Sequence, residues 1–252
     1  IPPFFDVMSA LVFSFLVGIG LSRIQNSKLA DVMFDFEHII SFVIEKVIIP
    51  LLPLFIFGIF LDMTYSGKVM MILNVFVKII GVIFALHILL LLIQFTIAGA
   101  IAKKNPFKLL ATLMPAYFTA LGTQSSAATI PVTLAQVKKT GTSEDVASFV
   151  VPLCATIHLA GSTLKIVACV VALMLMQGIP IDFPQMAGFI CMLGVTMVAA
   201  PGVPGGAIMA AIGIIASMLG FNTENQALMI SLYIAMDSFG TACNVTGDGA
   251  IA

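Results

Sequence analysis

Charge is what this sequence has least of. Nine per cent of its 252 residues are charged and Arg23 is its single arginine, while 60% are hydrophobic and the mean hydropathy is +1.16. An ordinary soluble domain carries about a quarter charged residues. No soluble core absorbs so much apolar surface, so the bilayer is the main solvent. With about 20 apolar residues needed per crossing, the chain holds several spans and little mass outside them. A net charge of −1, with basic residues scattered singly or in pairs, gives no footprint for nucleic acid. The four cysteines, Cys154, Cys169, Cys191 and Cys243, lack CxxC spacing and sit in apolar stretches, which suits packing rather than a disulfide or metal framework. Neither an initiator Met nor a signal pattern precedes Ile1-Pro2-Pro3, and the chain stops at Ala252, so it reads as a fragment of a longer protein.

What is present is a series of apolar runs. The first covers about Phe4 to Leu21, and the second about Ile39 to Leu61, kinked by Pro50 and Pro53. The third, about Val69 to Ile101, is long enough to require a strongly tilted helix. Phe107 to Val137 is bounded by Lys104 and Lys108 on one side and by Lys138 and Lys139 on the other. Basic flanks favour the cytoplasm, so this segment is expected to enter and leave by one face. Its small polar middle, Gly122 to Ala128 between Pro115 and Pro131, suits the tip of a re-entrant hairpin. Val146 to Gln177 then crosses outward. Phe183 to Leu219, broken at Ala199 to Gly206, is a second hairpin candidate, and Gln226 to Val245 returns inward to end in the polar cluster Asn244 to Asp248. Among the loop cations this arrangement puts only Lys68 outside. Two broken segments, each followed by a span with polar residues, form the pattern of an inverted repeat with a midplane site.

Four motifs carry a family resemblance. They are Gln124-Ser-Ser-Ala-Ala-Thr-Ile-Pro-Val-Thr133, Pro152-Leu-Cys-Ala-Thr-Ile157, Gly202-Val-Pro-Gly205 and Asn244-Val-Thr-Gly-Asp248. In order and spacing the chain resembles the dicarboxylate/amino acid:cation symporter family, to which the glutamate transporters belong. The resemblance implies an all-α polytopic membrane protein, an inverted repeat with two re-entrant helical hairpins and broken transmembrane helices, lacking its first three spans. It implies an elevator mechanism in a homotrimer of the plasma (inner) membrane, in contact with lipid. Residues 1–65 then correspond to scaffold-type spans, 66–106 to a transport-domain span and 107–252 to the transport core. That core holds a first hairpin at 107–137, a broken span at 144–178, a second hairpin at 183–219 and a last span at 224–248.

The same resemblance assigns roles. Gln124, Ser125 and Ser126 of the first tip, with Ser162, Val203, Gly206, Thr241 and Asn244, fall at substrate-binding positions, the serines facing a carboxylate. Asp237 matches the acid that pairs with a substrate α-amino group, or is a structural partner for Lys165. Asn244 and Asp248 match a sodium site completed by the carbonyls of Cys154 and His158, while the carbonyl of Thr156 belongs to a second one. Sodium ions and, through His158, a proton are the coupling species expected; no organic cofactor is implied.

The departures bear on selectivity and coupling. Ala160, within His158-Leu-Ala-Gly-Ser162, replaces the buried acid of one sodium site, so that site is expected to be lost. Lys165 requires an anion, Asp248 or Asp237, or else reaches an interface. In the first case it replaces a bound cation and makes transport less dependent on sodium. His158 precedes Lys165 by seven residues, hence roughly on the same helical face, and either carries a coupling proton or is simply hydrogen-bonded. Gly240 stands where transporters of acidic amino acids have an arginine, leaving space for a neutral or larger amino acid. A channel lacks support because no ring of repeated acidic or carbonyl motifs appears. An intramembrane enzyme would rest on Ser125 or Ser126 with His158 and no hydrolase motif besides. A relative that binds without transporting stays open.

Overall fold

Proline, glycine and the polar capping residues set where the helices stop. A computed structural model describes residues 7–24, 26–43, 46–47, 49–65, 67, 69–200 and 204–252; Lys68 and Val203 lie outside the described residues. Among those residues the elements are α1 (Val7–Leu21), α2 (Lys28–Val43), α3 (Ile49–Tyr65), α4 (Val69–Ala102), α5 (Pro106–Thr123), α6 (Ser126–Lys139), α7 (Glu144–Ile157), α8 (Ala160–Met176), α9 (Phe183–Val198), α10 (Gly206–Leu219), α11 (Thr223–Ala235) and α12 (Asp237–Ile251). Within the apolar run from Ile39 to Leu61 the described residues give the end of α2 at Val43, helical residues at 46–47 and the start of α3 at Ile49. Pro50 lies in the first turn of α3, where its missing N–H costs no helical hydrogen bond.

Helix α4, with 34 residues, is about 51 Å long at 1.5 Å per residue, well beyond a hydrocarbon core of about 30 Å. Among the described residues, two helical stretches are long and apolar enough to cross a membrane, Phe76–Ala102 and Glu144–Met176. A third is added if α11 and α12, bent by 60° at Met236, count as one span.

Helices α5 and α6 pack against each other, as do α9 and α10, giving two helical hairpins. The outer ends of the first hairpin meet. Lys104 Nζ donates to the Thr140 carbonyl at 2.5 Å, and Lys138 pairs with Glu144 across the next turn. Two apolar cores follow from this layout. One joins α8, α9, α10 and α11 around Phe189, Leu193, Ile208 and Ile214, with Ile83 of α4. The other joins α5, α6, α7 and α12 around Leu113, Ala116, Val151 and Val245, with Phe95 of α4. Cys154, Cys169 and Cys243 are buried and Cys191 is exposed, all as free thiols.

Capping divides the helices into two kinds. Those that start in exposed loops carry a local cap: Asn105 for α5, Ser143 for α7, Asp182 for α9 and Asn222 for α11, each accepting from a first-turn N–H. Helices α8, α10 and α12 start inside the molecule, behind Leu159, Gly205 and Met236, with no side-chain cap of their own. The N–H groups at the starts of α8 and α10 are answered from across the fold.

Candidate functional site

Those distant caps form a polar seam between the two cores. Helix α12 supplies one wall, because Asp237, Thr241, Asn244 and Asp248 recur at helical spacing and are all buried. Asn244 Oδ1 accepts from the N–H groups of Gly161 (2.8 Å) and Ser162 (3.2 Å), capping α8, while its Nδ2 donates to Ser162 Oγ at 3.0 Å. Tyr233 donates its hydroxyl to the same Ser162 Oγ at 3.3 Å. Asp237 Oδ2 accepts from the Gly205 N–H at 2.7 Å, holding the start of α10.

Close approach of α8 and α12 depends on glycine. A Cβ on Gly161 would lie 2.7 Å from Cys243 Cβ and 2.8 Å from the Gly240 carbonyl, so nothing larger fits without moving backbone.

Lys165 takes Asp237 as its anion. Its side chain is 0% exposed, its Nζ donates to Asp237 Oδ1 at 3.2 Å and to the carbonyls of Tyr233 and Met236 at 3.4 Å, and it lies 3.3 Å from the centre of the Tyr233 ring. Those carbonyls belong to the last turn of α11, where a cation is favoured. The space beside Gly240 is therefore not empty: a Cβ there would stand 3.0 Å from Lys165 Nζ. This corrects the expectation that Gly240 leaves room for a larger amino acid.

His158 takes the other acid. Its Nδ1 donates to Asp248 Oδ1 at 2.8 Å, and its Nε2 accepts from Gln94 Nε2 of α4 at 3.2 Å. The helix ends at Ile157 and restarts at Ala160. His158 and Lys165 therefore share no continuous helical face, and each reaches a different acid. Their seven-residue spacing misled because the chain unwinds between them.

The hairpin tips converge on the start of α12. Gln124, left-handed at φ 53°, closes α5 and donates from Nε2 to Ser238 Oγ at 2.9 Å. Ser125 caps α6 by accepting from the Ala128 N–H at 3.3 Å, and Ser126 is buried in its first turn. Gly206 opens α10 and is buried. Val203 lies outside the described residues. Thr156 faces outward with its hydroxyl on the Leu153 carbonyl, and the Cys154 carbonyl accepts the His158 N–H at 2.8 Å within the end of α7.

Three of the oxygens expected to hold a sodium ion already accept hydrogen bonds in this arrangement. Asp248 Oδ1 already holds the His158 N–H, Asn244 Oδ1 holds two backbone N–H groups, and the Cys154 carbonyl is engaged in its helix. Among the described residues no cluster of three or more His, Cys, Asp or Glu is arranged to hold a metal ion.

Sequence reasoning did not single out His87 and Gln94 of α4 or Tyr233 of α11. His87 and Gln94, one face of α4 apart by seven residues, reach the Gly161 carbonyl (3.0 Å) and His158. Their polarity inside an apolar run was the available signal. Tyr233 carried no such signal. Three buried atoms, His87 Nδ1, Gln94 Oε1 and Thr246 Oγ1, have no hydrogen-bond partner among the described residues.

The profile of the sodium:dicarboxylate symporter family matches residues 3–252. The chain is 29% identical over 258 residues to excitatory amino acid transporter 2 of Homo sapiens, covering 97% of this chain and 44% of that protein. It is 30% identical over 244 residues to the serine/threonine transporter SstT of Acinetobacter baumannii, covering 94% of this chain and 60% of that protein. An excitatory amino acid transporter of Caenorhabditis elegans is 27% identical over 251 residues. The chain spans about half the length of these relatives.

Proposed function

The chain belongs to the sodium:dicarboxylate symporter family, and on that premise we propose that the full-length protein is a secondary active transporter of a small amino acid or carboxylate, working by an elevator motion. The observation that carries this reading is the convergence of both hairpin tips on residues 237 and 238, at the bend of the last span. The starts of α6, α8, α10 and α12 border the same seam, and helix N-termini favour anionic groups such as a carboxylate.

Ser125, Ser126, Ser162, Thr241 and Asn244 form the substrate surface in this proposal. The glycine at 240, in place of an arginine, argues against aspartate and glutamate among amino acids. The moving part comprises 66–252 and the scaffold 1–65, in a multi-pass homotrimer of the plasma membrane. Support for relative movement comes from the surface between them. Helix α1 faces the end of α9 across a cavity of about 380 Å³ lined by Ser14, Gly18, Ile19, Ser22, Val195, Val198 and Ala199, whose largely apolar walls offer little to interlock.

Proteoliposomes containing the full-length protein test the reading. Saturable uptake of labelled amino acids or dicarboxylates, accelerated by unlabelled substrate inside, is the expected result. A flux that neither saturates nor shows counterflow would indicate a channel and overturn it.

A second reading concerns coupling. Lys165 and His158 occupy the acids that a cation would need, which favours transport independent of sodium. Uptake is then expected to continue when choline replaces sodium; its abolition would restore conventional sodium symport.

A further inference from the structure

The seam contains two buried acids, and each is already matched. Asp237 binds Lys165, and Asp248 binds His158. Lys165 is fully enclosed, held by a carboxylate, two carbonyls and the face of Tyr233, so its ammonium has the partners a buried cation requires. It also fills the space beside Gly240, a space that Ser162 borders as well. A second ammonium arriving at Asp237 would either share a carboxylate whose single charge Lys165 already balances, or displace Lys165 and leave it unpaired in a closed interior, and both bury an uncompensated positive charge. An arriving carboxylate faces the opposite situation. It meets the N-terminal ends of α6, α10 and α12, about half a positive charge each, with no unpaired acid beside them.

We infer that Lys165 is a built-in ammonium that neutralises Asp237, and that the substrate is a small carboxylic acid without a cationic amino group. The inference rests on the transport reading above and narrows its substrate class. Lys165 sets specificity by occupying the acid that an amino group would need. A ligand with a hydroxyl or hydrogen at the carbon next to its carboxylate enters without disturbing the pair; the corresponding amino acid does not.

Matched pairs that differ only at that carbon provide the test: succinate against L-aspartate, and L-lactate against L-alanine. The readouts are thermal stabilisation of the purified full-length protein and competition for uptake. The expected result is that in each pair the amino-free acid reaches half-saturation at a concentration at least ten-fold lower. Lys165→Met frees Asp237 and should reverse the order. The double variant Lys165→Met/Asp237→Asn buries no unpaired charge and leaves an amide oxygen for the Gly205 N–H, so it keeps the question open to measurement even where the single variant does not fold. In it the order should not reverse: L-aspartate should gain nothing over succinate. Equal or tighter binding of the amino acids by the unaltered protein would overturn the inference alone. If none of the four acids binds or is carried, the proposed transport function falls with it.

Discussion

Lys165 with Asp237 and His158 with Asp248 each join the broken span α7–α8 to α12, about 16 Å apart along that helix at 1.5 Å per residue. The first pair is enclosed, with side-chain exposures of 0% and 6%, and lies where both hairpin tips arrive. The second is partly open at His158, 15% exposed, and is backed by Gln94 of α4. Lysine holds its partner as a charge, whereas an imidazole can keep its Nδ1–H on Asp248 while neutral. One junction is therefore an ion pair closed off by the protein and the other an imidazole–carboxylate hydrogen bond partly open at His158. Similar residue types in similar places differ because of what encloses them.

The largest effect is expected at the enclosed pair. Asp237→Asn strands the Lys165 ammonium and should cost about 3–5 kcal/mol in thermal or denaturant unfolding of the solubilised protein. Adding Lys165→Met should recover most of that loss, and equal losses in the single and double variants would show that the pair is not the source. Gly161→Ala comes next, at about 1–3 kcal/mol, because the new Cβ meets the backbone of α12. Gly240→Ala should cost less, since its Cβ meets the side chains of Lys165 and Ser162, at 3.0 Å and beyond, rather than backbone. At the open junction, His158→Ala should cost about 1–2 kcal/mol, because it removes one hydrogen bond to Asp248 from a side chain that is partly open. A loss as large as that of Asp237→Asn would erase the distinction between the two pairs. Gln94→Leu, which removes only the donor to His158 Nε2, should cost about 0.5–1 kcal/mol in the same measurement.

The helix starts that were legible in the sequence are those whose caps are local. Asn105, Ser143, Asp182 and Asn222 each precede a helix and satisfy it within three residues, so the pattern is written in adjacent positions. The small polar tip around Gln124 was visible for the same reason. The break before α10 was legible too, at Ala199 to Gly206, but the start of α8 and the groups that answer both starts were not, because Asn244 and Asp237 lie 82 and 32 residues away. The buried stripe Asp237, Thr241, Asn244, Asp248 could be drawn from spacing alone, as α12 runs unbroken through it. His158 and Lys165 could not, since their shared face assumed a helix that ends at Ile157. The choice of Asp237 over Asp248 by Lys165 is a matter of tertiary distance, which no periodicity encodes.

The cancellation of charge within the enclosed pair has an electrical consequence. A membrane at rest exerts a field across everything that spans it, and moving one unpaired elementary charge through 100 mV costs about 2.3 kcal/mol. Asp237 alone would make every displacement of α12 along the membrane normal depend on voltage. Lys165 sits on α8, which packs directly against α12, so in any displacement that carries both helices together the two contributions oppose each other and the pair adds almost nothing to the charge displaced.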